Sequence, residues 1–550
     1  MVHVRGEDVR IEIPAEFNLS DLLIDRNVRE GRGNKVAVTY VEGSEGNVEV
    51  KLALTYADLL RETSRIAGAL RGLGVEMENR VVAMLYDRPE LAEVFLGSLR
   101  IGAVPVPINT YETAAFLKYV LNQSRAKVLF IERDLMPLLE EVRESLRYLR
   151  RVVVVGGEPA GDQLGYRDLA RSGPDFVEPE PMHRDDFAFW LYSSGTTGPP
   201  KGVVHLQHDI PYVVQTYYRH IHAPGEDDVF FSTAKLFFAY GLGNGLYAPL
   251  WFGASTVLFP GRATDAKSVL RIIERMRVTR FFSTPLVYLR LLDELRSGGK
   301  YDLSSIRTST NAGETLPPQI NEGWREFTGH YVLDGIGTTE ILHIFISPRT
   351  DRPVKPGSTG LVVPGYEART VREDGSEADV GEAGRLLVKG DSIAALYWQQ
   401  HEKTKATIIG EWIDTGDLYV VDRDGYFWWS GRADDLIKSA GAWVSPIEVE
   451  QAILGHPAVA GAAVVQSYTD DGIGRPKAYV QLRPGYSPSK ELEEEILRLA
   501  GEKLKASYKV PGWIEFVDAL PTTATGKIQR YKLRQIEMER FRAKLSKPGQ

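Results

Sequence analysis

Between Leu54 and Leu333 the chain alternates short apolar runs with helix-length amphipathic segments. Thr55, three residues ahead of Asp58, marks a helix start with capping-box spacing. Apolar runs at residues 81–86, 104–108, 127–131 and 152–155 predict strands. Residues 89–101, 114–124 and 135–149 predict the helices between them. The runs are apolar throughout rather than alternating, which implies a mostly parallel sheet covered on both faces. Pro105 and Pro107 place the second run at a sheet edge. Residues 1–46 read as a lead-in. Further on, helices at 268–277 and 286–296 alternate with strands ending at Ser283, at Asn311 and at Leu333.

Beyond Pro356 the texture changes. Alternating strands such as residues 384–389 and the Asp424-Gly425 turn signal predict a β-rich subdomain. A boundary near Gly431-Arg432-Ala433-Asp434-Asp435 divides the chain into 1–433 and 434–550. The second part shows an α+β pattern: helix 446–454, strands 459–466 and 478–482, helix 490–504. A basic helix over 527–547 follows, its charges read as a solvated face. The fold class is α/β: a large N-terminal domain of mostly parallel sheets flanked by helices, a β-rich subdomain, and a small α+β C-terminal domain.

Composition narrows the function. The 550 residues carry 66 basic and 74 acidic side chains, a net charge of −8, which argues against nucleic acid as a partner. The chain has no cysteine, which excludes disulfides, thiolate catalysis and Cys-ligated zinc. The N-terminus carries acid early and lacks a signal-peptide core, so a cytoplasmic enzyme is expected. Residues 236–261 hold no charge and are long enough to span a bilayer. Glycines, prolines and Asn244 break the run, so a buried stretch lining a pocket is the expectation, with no membrane partner.

The chemistry centres on Tyr192-Ser193-Ser194-Gly195-Thr196-Thr197-Gly198-Pro199-Pro200-Lys201-Gly202, set between apolar runs. Small residues permit close backbone approach, and hydroxyls, N–H groups and Lys201 suit phosphate oxygens. It is not a Walker A loop, which needs Gly-Lys followed by Ser or Thr. Five further strings stand out. Asp334-Gly335-Ile336-Gly337-Thr338-Thr339-Glu340 and Asn311-Ala312-Gly313-Glu314-Thr315-Leu316-Pro317 each follow an apolar strand, where open α/β sheets place ligands. Glu340 is a hard-oxygen candidate for Mg²⁺. Trp412-Ile413-Asp414-Thr415-Gly416-Asp417 offers a carboxylate for vicinal hydroxyls. Gly431-Arg432-Ala433-Asp434-Asp435-Leu436-Ile437-Lys438-Ser439-Ala440-Gly441 crosses the boundary. Pro521-Thr522-Thr523-Ala524-Thr525-Gly526-Lys527-Ile528 carries Lys527 behind a small, flexible loop.

Taken singly, each string reads as an ordinary loop. In this order and spacing they closely resemble the adenylate-forming superfamily: acyl- and aryl-CoA ligases, luciferase and peptide-synthetase adenylation domains. The resemblance implies ATP, Mg²⁺ and CoA. It implies phosphate contacts from Ser193, Ser194, Gly195, Thr197, Gly198 and Lys201, with Thr196 catalytic. It makes the turn with Gly313, Glu314 and Thr315 the adenine-binding turn, adds Asp334, Gly335 and Thr339 as ATP or AMP contacts, puts ribose at Asp417 and Arg432, and makes Glu340 both catalytic and the metal ligand. It makes Lys527 the catalytic lysine, Asp434 the pivot of a mobile C-terminal domain, and Lys438, Ser439, Ala440 and Gly441 elements of the thioester step. Ile336 departs from the family, which usually has Tyr there.

The string Lys235 to Asn244 and the residues after Glu340 resemble the benzoate–CoA ligase branch. Its ring-gripping positions match Phe238, Ala239, Tyr240, Gly337, His343 and Ile344. Gly337 stands where acetyl-CoA synthetases carry a Trp, leaving room for more than two carbons. His343 reads equally as a cap on the ring or as a packed core histidine. The expected partners are a small carboxylic acid, ATP and CoA, and a homodimer is compatible. The rival readings are an aliphatic or hydroxy-acid CoA ligase and, further off, an inactive nucleotide-binding protein. A peptide-synthetase adenylation domain would place an acid near Phe238, and residues 236–261 contain none.

Overall fold

The computed structural model describes residues 3–193, 199–439, 442–469, 473–522 and 528–545. Ser194, Gly195, Thr196, Thr197, Gly198, Ala440, Gly441 and Lys527 lie outside them, as does the Asp434 side chain.

Two sheets carry the first part. A five-stranded parallel sheet has its edge at Val104–Pro107, next to Arg80–Met84, then Val128–Glu132 and Arg151–Val155. The prolines sit at the edge because they cannot donate to a second neighbour. The second sheet has seven strands. Val332–Asp334, Thr308–Asn311, Arg280–Ser283, Val229–Ser232, Ser255–Leu258 and Val36–Ser44 run parallel, and Asn47–Thr55 closes the edge antiparallel. Ser283, Asn311 and Asp334 therefore share one end of this sheet, the carboxyl end.

The lead-in expected over residues 1–46 is corrected here: it contains the parallel strand Val36–Ser44 and the start of a hairpin. The hairpin turns at Glu45 and Gly46, both at positive φ (52° and 84°). Helix Tyr56–Gly72 starts as expected, Thr55 accepting from the Asp58 N–H and Asp58 from the Thr55 N–H. The helix expected over 135–149 is shorter: Met136–Val142, then a tight turn at Arg143–Ser145. The Ser145 hydroxyl donates back to the Val142 carbonyl (2.7 Å) and Asn122 caps the Ser145 carbonyl (3.0 Å), which ends it. The uncharged stretch is buried and holds helix Ala239–Leu242 and strand Ser255–Leu258. Among the described residues, no helix is long and apolar enough to cross a membrane.

Beyond Pro356 lies an antiparallel sheet built on Glu367–Val371, Ala383–Lys389, Trp412–Val421 and Phe427–Arg432. The last two join through Gly425 at φ +83°. The final α+β unit has its own core. On Val459–Tyr468 and Gly474–Leu482, Ala462, Val464, Ala478 and Val480 face helices Pro446–Leu454 and Lys490–Leu504. Ala463, Val465 and Tyr479 face the other way, toward Leu533 of helix Arg530–Leu545. This period-two alternation made the strands legible. The solvated basic face expected for the last helix is corrected in part. Glu537 is buried and paired with Lys477 and Tyr479, while Arg530 forks onto Glu450.

Candidate active site

Strand Phe187–Ser193 leads into the Ser/Thr/Gly loop and Lys201–Leu206 leads out, antiparallel, with Ser193 opposite Lys201. That register aims both side chains at Glu340. Lys201 Nζ lies 3.2 Å and Ser193 Oγ 3.4 Å from Glu340 Oε1. Tyr397 completes the cluster: its hydroxyl donates to Glu340 Oε1 at 2.8 Å, and its ring lies 4.4 Å from Lys201 Nζ. Burial alone would raise the Glu340 carboxyl, but Lys201 and Tyr397 outweigh it and hold it below the usual carboxylate range. The backbone is pinned too: His205 Nε2 meets the Thr339 carbonyl (2.9 Å), and the Ala394 N–H donates to the Glu340 carbonyl (2.8 Å). A carboxylate held ionised beside Ser193 and Lys201 fits an Mg²⁺ ligand. Among the described residues, no cluster of three metal-ligating side chains backs it.

Tyr397 is the residue sequence reasoning missed. It comes from the two-residue strand Leu396–Tyr397, which pairs with Val203 and Val204. So short a strand leaves no periodic signal.

Asp334 is the opposite kind of acid. Asn311 Nδ2 donates to its Oδ1 (2.6 Å) and the Leu316 N–H to its Oδ2 (3.0 Å). No cation offsets its burial among its pKa-determining neighbours, and burial pushes the carboxyl up to about 7. It ties the turn over 311–316 to its own strand, as does the Gly335 N–H on the Asn311 carbonyl (2.9 Å). Gly313, at φ +93° with open space around it, lets that turn reverse. The turn carrying Gly313, Glu314 and Thr315 is thus fixed to Asp334 and Gly335, and Thr339 adjoins Glu340 in the chain.

Asp417 and Arg432 face each other across adjacent strands, Arg432 donating at 3.0 Å. Trp429 Nε1, also unforeseen, donates to the other Asp417 oxygen (3.2 Å). Asp434 falls in the turn Ala433–Asp435 just beyond. Lys438 and Ser439 lie on the next strand, Ile437–Ser439, where the buried Ser439 hydroxyl donates to the Tyr508 carbonyl (2.8 Å). Asp435 pairs with Arg534 of the last helix.

The candidate acid pocket is aromatic. Phe238, Ala239 and Tyr240 open the buried stretch. The Tyr240 hydroxyl reaches the carbonyls of Thr310 (3.0 Å) and Ser283 (3.4 Å) at the sheet's carboxyl end. His343 is 2% exposed, with Tyr217, Tyr218 and Tyr240 ring centroids at 4.9, 5.0 and 5.9 Å. It is packed among rings as the core reading expected, one of them being Tyr240. Burial pushes its imidazole down to about 3, so it is neutral. A Cβ at Gly337 would sit 2.6 Å from the His343 carbonyl oxygen, so glycine is needed there for backbone approach as well as for space. Ile344 is buried beside it.

Comparison with known proteins identifies the family. Residues 24–398 match the family described as AMP-binding enzyme, and residues 448–527 match the AMP-binding enzyme C-terminal domain. The chain is 42% identical over 526 residues to the benzoate–CoA ligase of Thauera aromatica, covering 95% of this chain and 97% of that one. Among solved structures, an anthranilate CoA ligase in complex with anthranoyl-AMP superposes with a TM-score of 0.87 at 40% identity, covering 96% of this chain and 98% of that one. A benzoate CoA ligase from Burkholderia xenovorans LB400 superposes with a TM-score of 0.82 at 38% identity, covering 94% and 100%.

Proposed function

The chain belongs to the AMP-binding enzyme family, and from that premise we propose that its site joins an aromatic carboxylic acid to CoA through an acyl-adenylate. It is an AMP-forming acid–thiol ligase. The carrying observation is the juxtaposition of an ionised Glu340 cluster with a neutral aromatic box, at the carboxyl end of one sheet.

The acid's carboxylate oxygen attacks the α-phosphorus of ATP, the bond to the β-phosphate oxygen breaks, and pyrophosphate leaves. The CoA thiol, giving up its proton, then attacks the acyl carbonyl, and AMP leaves with the carboxylate-derived oxygen. In this reading the 194–198 loop and Lys201 hold phosphates, and the 311–316 turn and Asp334 border adenine. Asp417 and Arg432 take the ribose hydroxyls. Glu340 would hold Mg²⁺, which would supply charge neutralisation on the phosphates. Phe238, Ala239, Tyr240, Gly337, His343 and Ile344 enclose the ring, apolar and aromatic surface being what a flat acid needs.

Lys527 is assigned the screening of two anions as they meet. The units 1–433 and 434–550 would rotate about Asp434 between half-reactions, bringing Lys438, Ser439, Ala440 and Gly441 to the thioester step. A cytoplasmic enzyme acting on small molecules, compatible with a homodimer, completes the proposal.

The test is product analysis with benzoate, ATP and CoA. AMP, pyrophosphate and benzoyl-CoA are expected. Turnover confined to short aliphatic acids would overturn the aromatic assignment.

A further inference from the structure

The three donors to Glu340 Oε1 stand on the three strands of one small sheet: Ser193 on Phe187–Ser193, Lys201 on Lys201–Leu206 and Tyr397 on Leu396–Tyr397. The first and third strands do not pair with each other, since the second lies between them. Side chains alternate along a strand, so the residue beside a donor faces the other way. On that other side lies helix Ala114–Ser124, and it meets the chain neighbour of each donor.

The contacts converge on Gln123. Its Nε2 donates to the Trp398 carbonyl at 2.9 Å. A carbonyl only accepts, so the amide has one orientation, and Oε1 takes the Tyr192 hydroxyl proton at 2.5 Å. Trp398 answers with its indole: Nε1 donates at 3.0 Å to the Gln123 carbonyl, one of those that the last turn of a helix leaves open. One turn earlier on the same face, the Tyr119 hydroxyl donates to the Pro200 carbonyl at 3.0 Å. Tyr192 precedes Ser193, Pro200 precedes Lys201 and Trp398 follows Tyr397. Gln123 therefore spans the outer two strands across the middle one and sets the distance between them.

We propose that Gln123 is a positioning residue for adenylation: it fixes Ser193 and Tyr397 about Glu340, and so fixes where that carboxylate meets the ATP phosphates. It touches neither ATP nor the acid. The inference rests on the proposed function.

The test measures the half-reactions separately: pyrophosphate release from benzoate and ATP without CoA, and thioester formation from supplied benzoyl-adenylate and CoA. Gln123→Met keeps the length of the side chain and loses both of its hydrogen bonds. It should slow pyrophosphate release about tenfold through kcat and leave thioester formation within about twofold of wild type, the first being the size of one or two hydrogen bonds. Tyr192→Phe removes one bond and leaves Gln123 in place, so it should cost about threefold, and it carries the same test if Gln123→Met does not fold. A double-mutant cycle separates positioning from plain structure: in a Tyr397→Phe background Gln123→Met should cost less than in wild type, because both act through Glu340. Equal slowing of both half-reactions, a cost undiminished in Tyr397→Phe, or wild-type pyrophosphate release in both single variants overturns the inference and leaves the ligase reaction standing. A wild-type enzyme that releases no pyrophosphate with any aromatic acid overturns the proposed function and this inference with it.

Discussion

Glu340 and His343 stand three residues apart, yet they belong to opposite kinds of site. Around Glu340, Lys201 and the Tyr397 and Ser193 hydroxyls converge on one oxygen, and the acid stays ionised despite its burial. Around His343 the neighbours are rings and the Tyr240 carbonyl, which offsets the burial only in part, and the imidazole stays uncharged. Asp334, six residues before Glu340, has neutral donors only and rises to about 7. Burial is common to all three; the presence of a cation decides the charge. One short segment thus serves both halves of the proposed chemistry: a charged end for phosphate and metal, and a neutral end that leaves the substrate carboxylate as the only anion to steer.

The largest effect expected is at the charged end. Lys527→Ala should slow adenylation about a hundredfold or more, the usual cost of losing one transition-state donor. Thioester formation from supplied acyl-adenylate should be spared, as single-turnover assays of the two half-reactions would show. Equal loss in both halves would make Lys527 structural.

Tyr397→Phe sharpens the comparison. It removes one donor from Glu340 Oε1 and should cost about tenfold in kcat, in the range of a hydrogen bond to a charged group. The preference among ring-substituted acids should not move. A changed acid preference would mean that the two ends are not separate.

The last effect concerns stability rather than turnover, at the neutral end. The unfolded imidazole takes up a proton below about pH 6.5, whereas native His343 does so only near 3. Between those values the unfolded state binds more protons, so stability falls as pH drops. From pH 7 to pH 5 this site should cost about 2 kcal/mol. His343→Gln should flatten that part of the pH dependence, read from urea midpoints at the two values. An unchanged slope would show that His343 is charged in the fold.

What was legible in the sequence follows from how locally each feature is encoded. The C-terminal strands announced themselves because Ala462 and Val464 alternate with Ala463 and Val465 between two cores. Helix Tyr56–Gly72 did so through Thr55 and Asp58, which cap each other. The strand Val36–Ser44 was missed because its signal lies in a long hairpin whose register only the sheet fixes. The Gly-rich strings were readable as a set, but their partners were not. Tyr397, 57 positions after Glu340 in the chain, reaches it by way of a two-residue strand. The bonds of Gln123 to Tyr192 and Trp398 link three segments that no local pattern connects.

The most direct measurement follows the oxygen. Benzoate labelled with ¹⁸O in both carboxylate positions, incubated with the enzyme, ATP and CoA, passes one labelled oxygen to phosphorus if an acyl-adenylate forms. Mass spectrometry should then find a single ¹⁸O in AMP, unlabelled pyrophosphate, and benzoyl-CoA retaining one ¹⁸O. Label in inorganic phosphate, with ADP as the nucleotide product, would contradict adenylate formation.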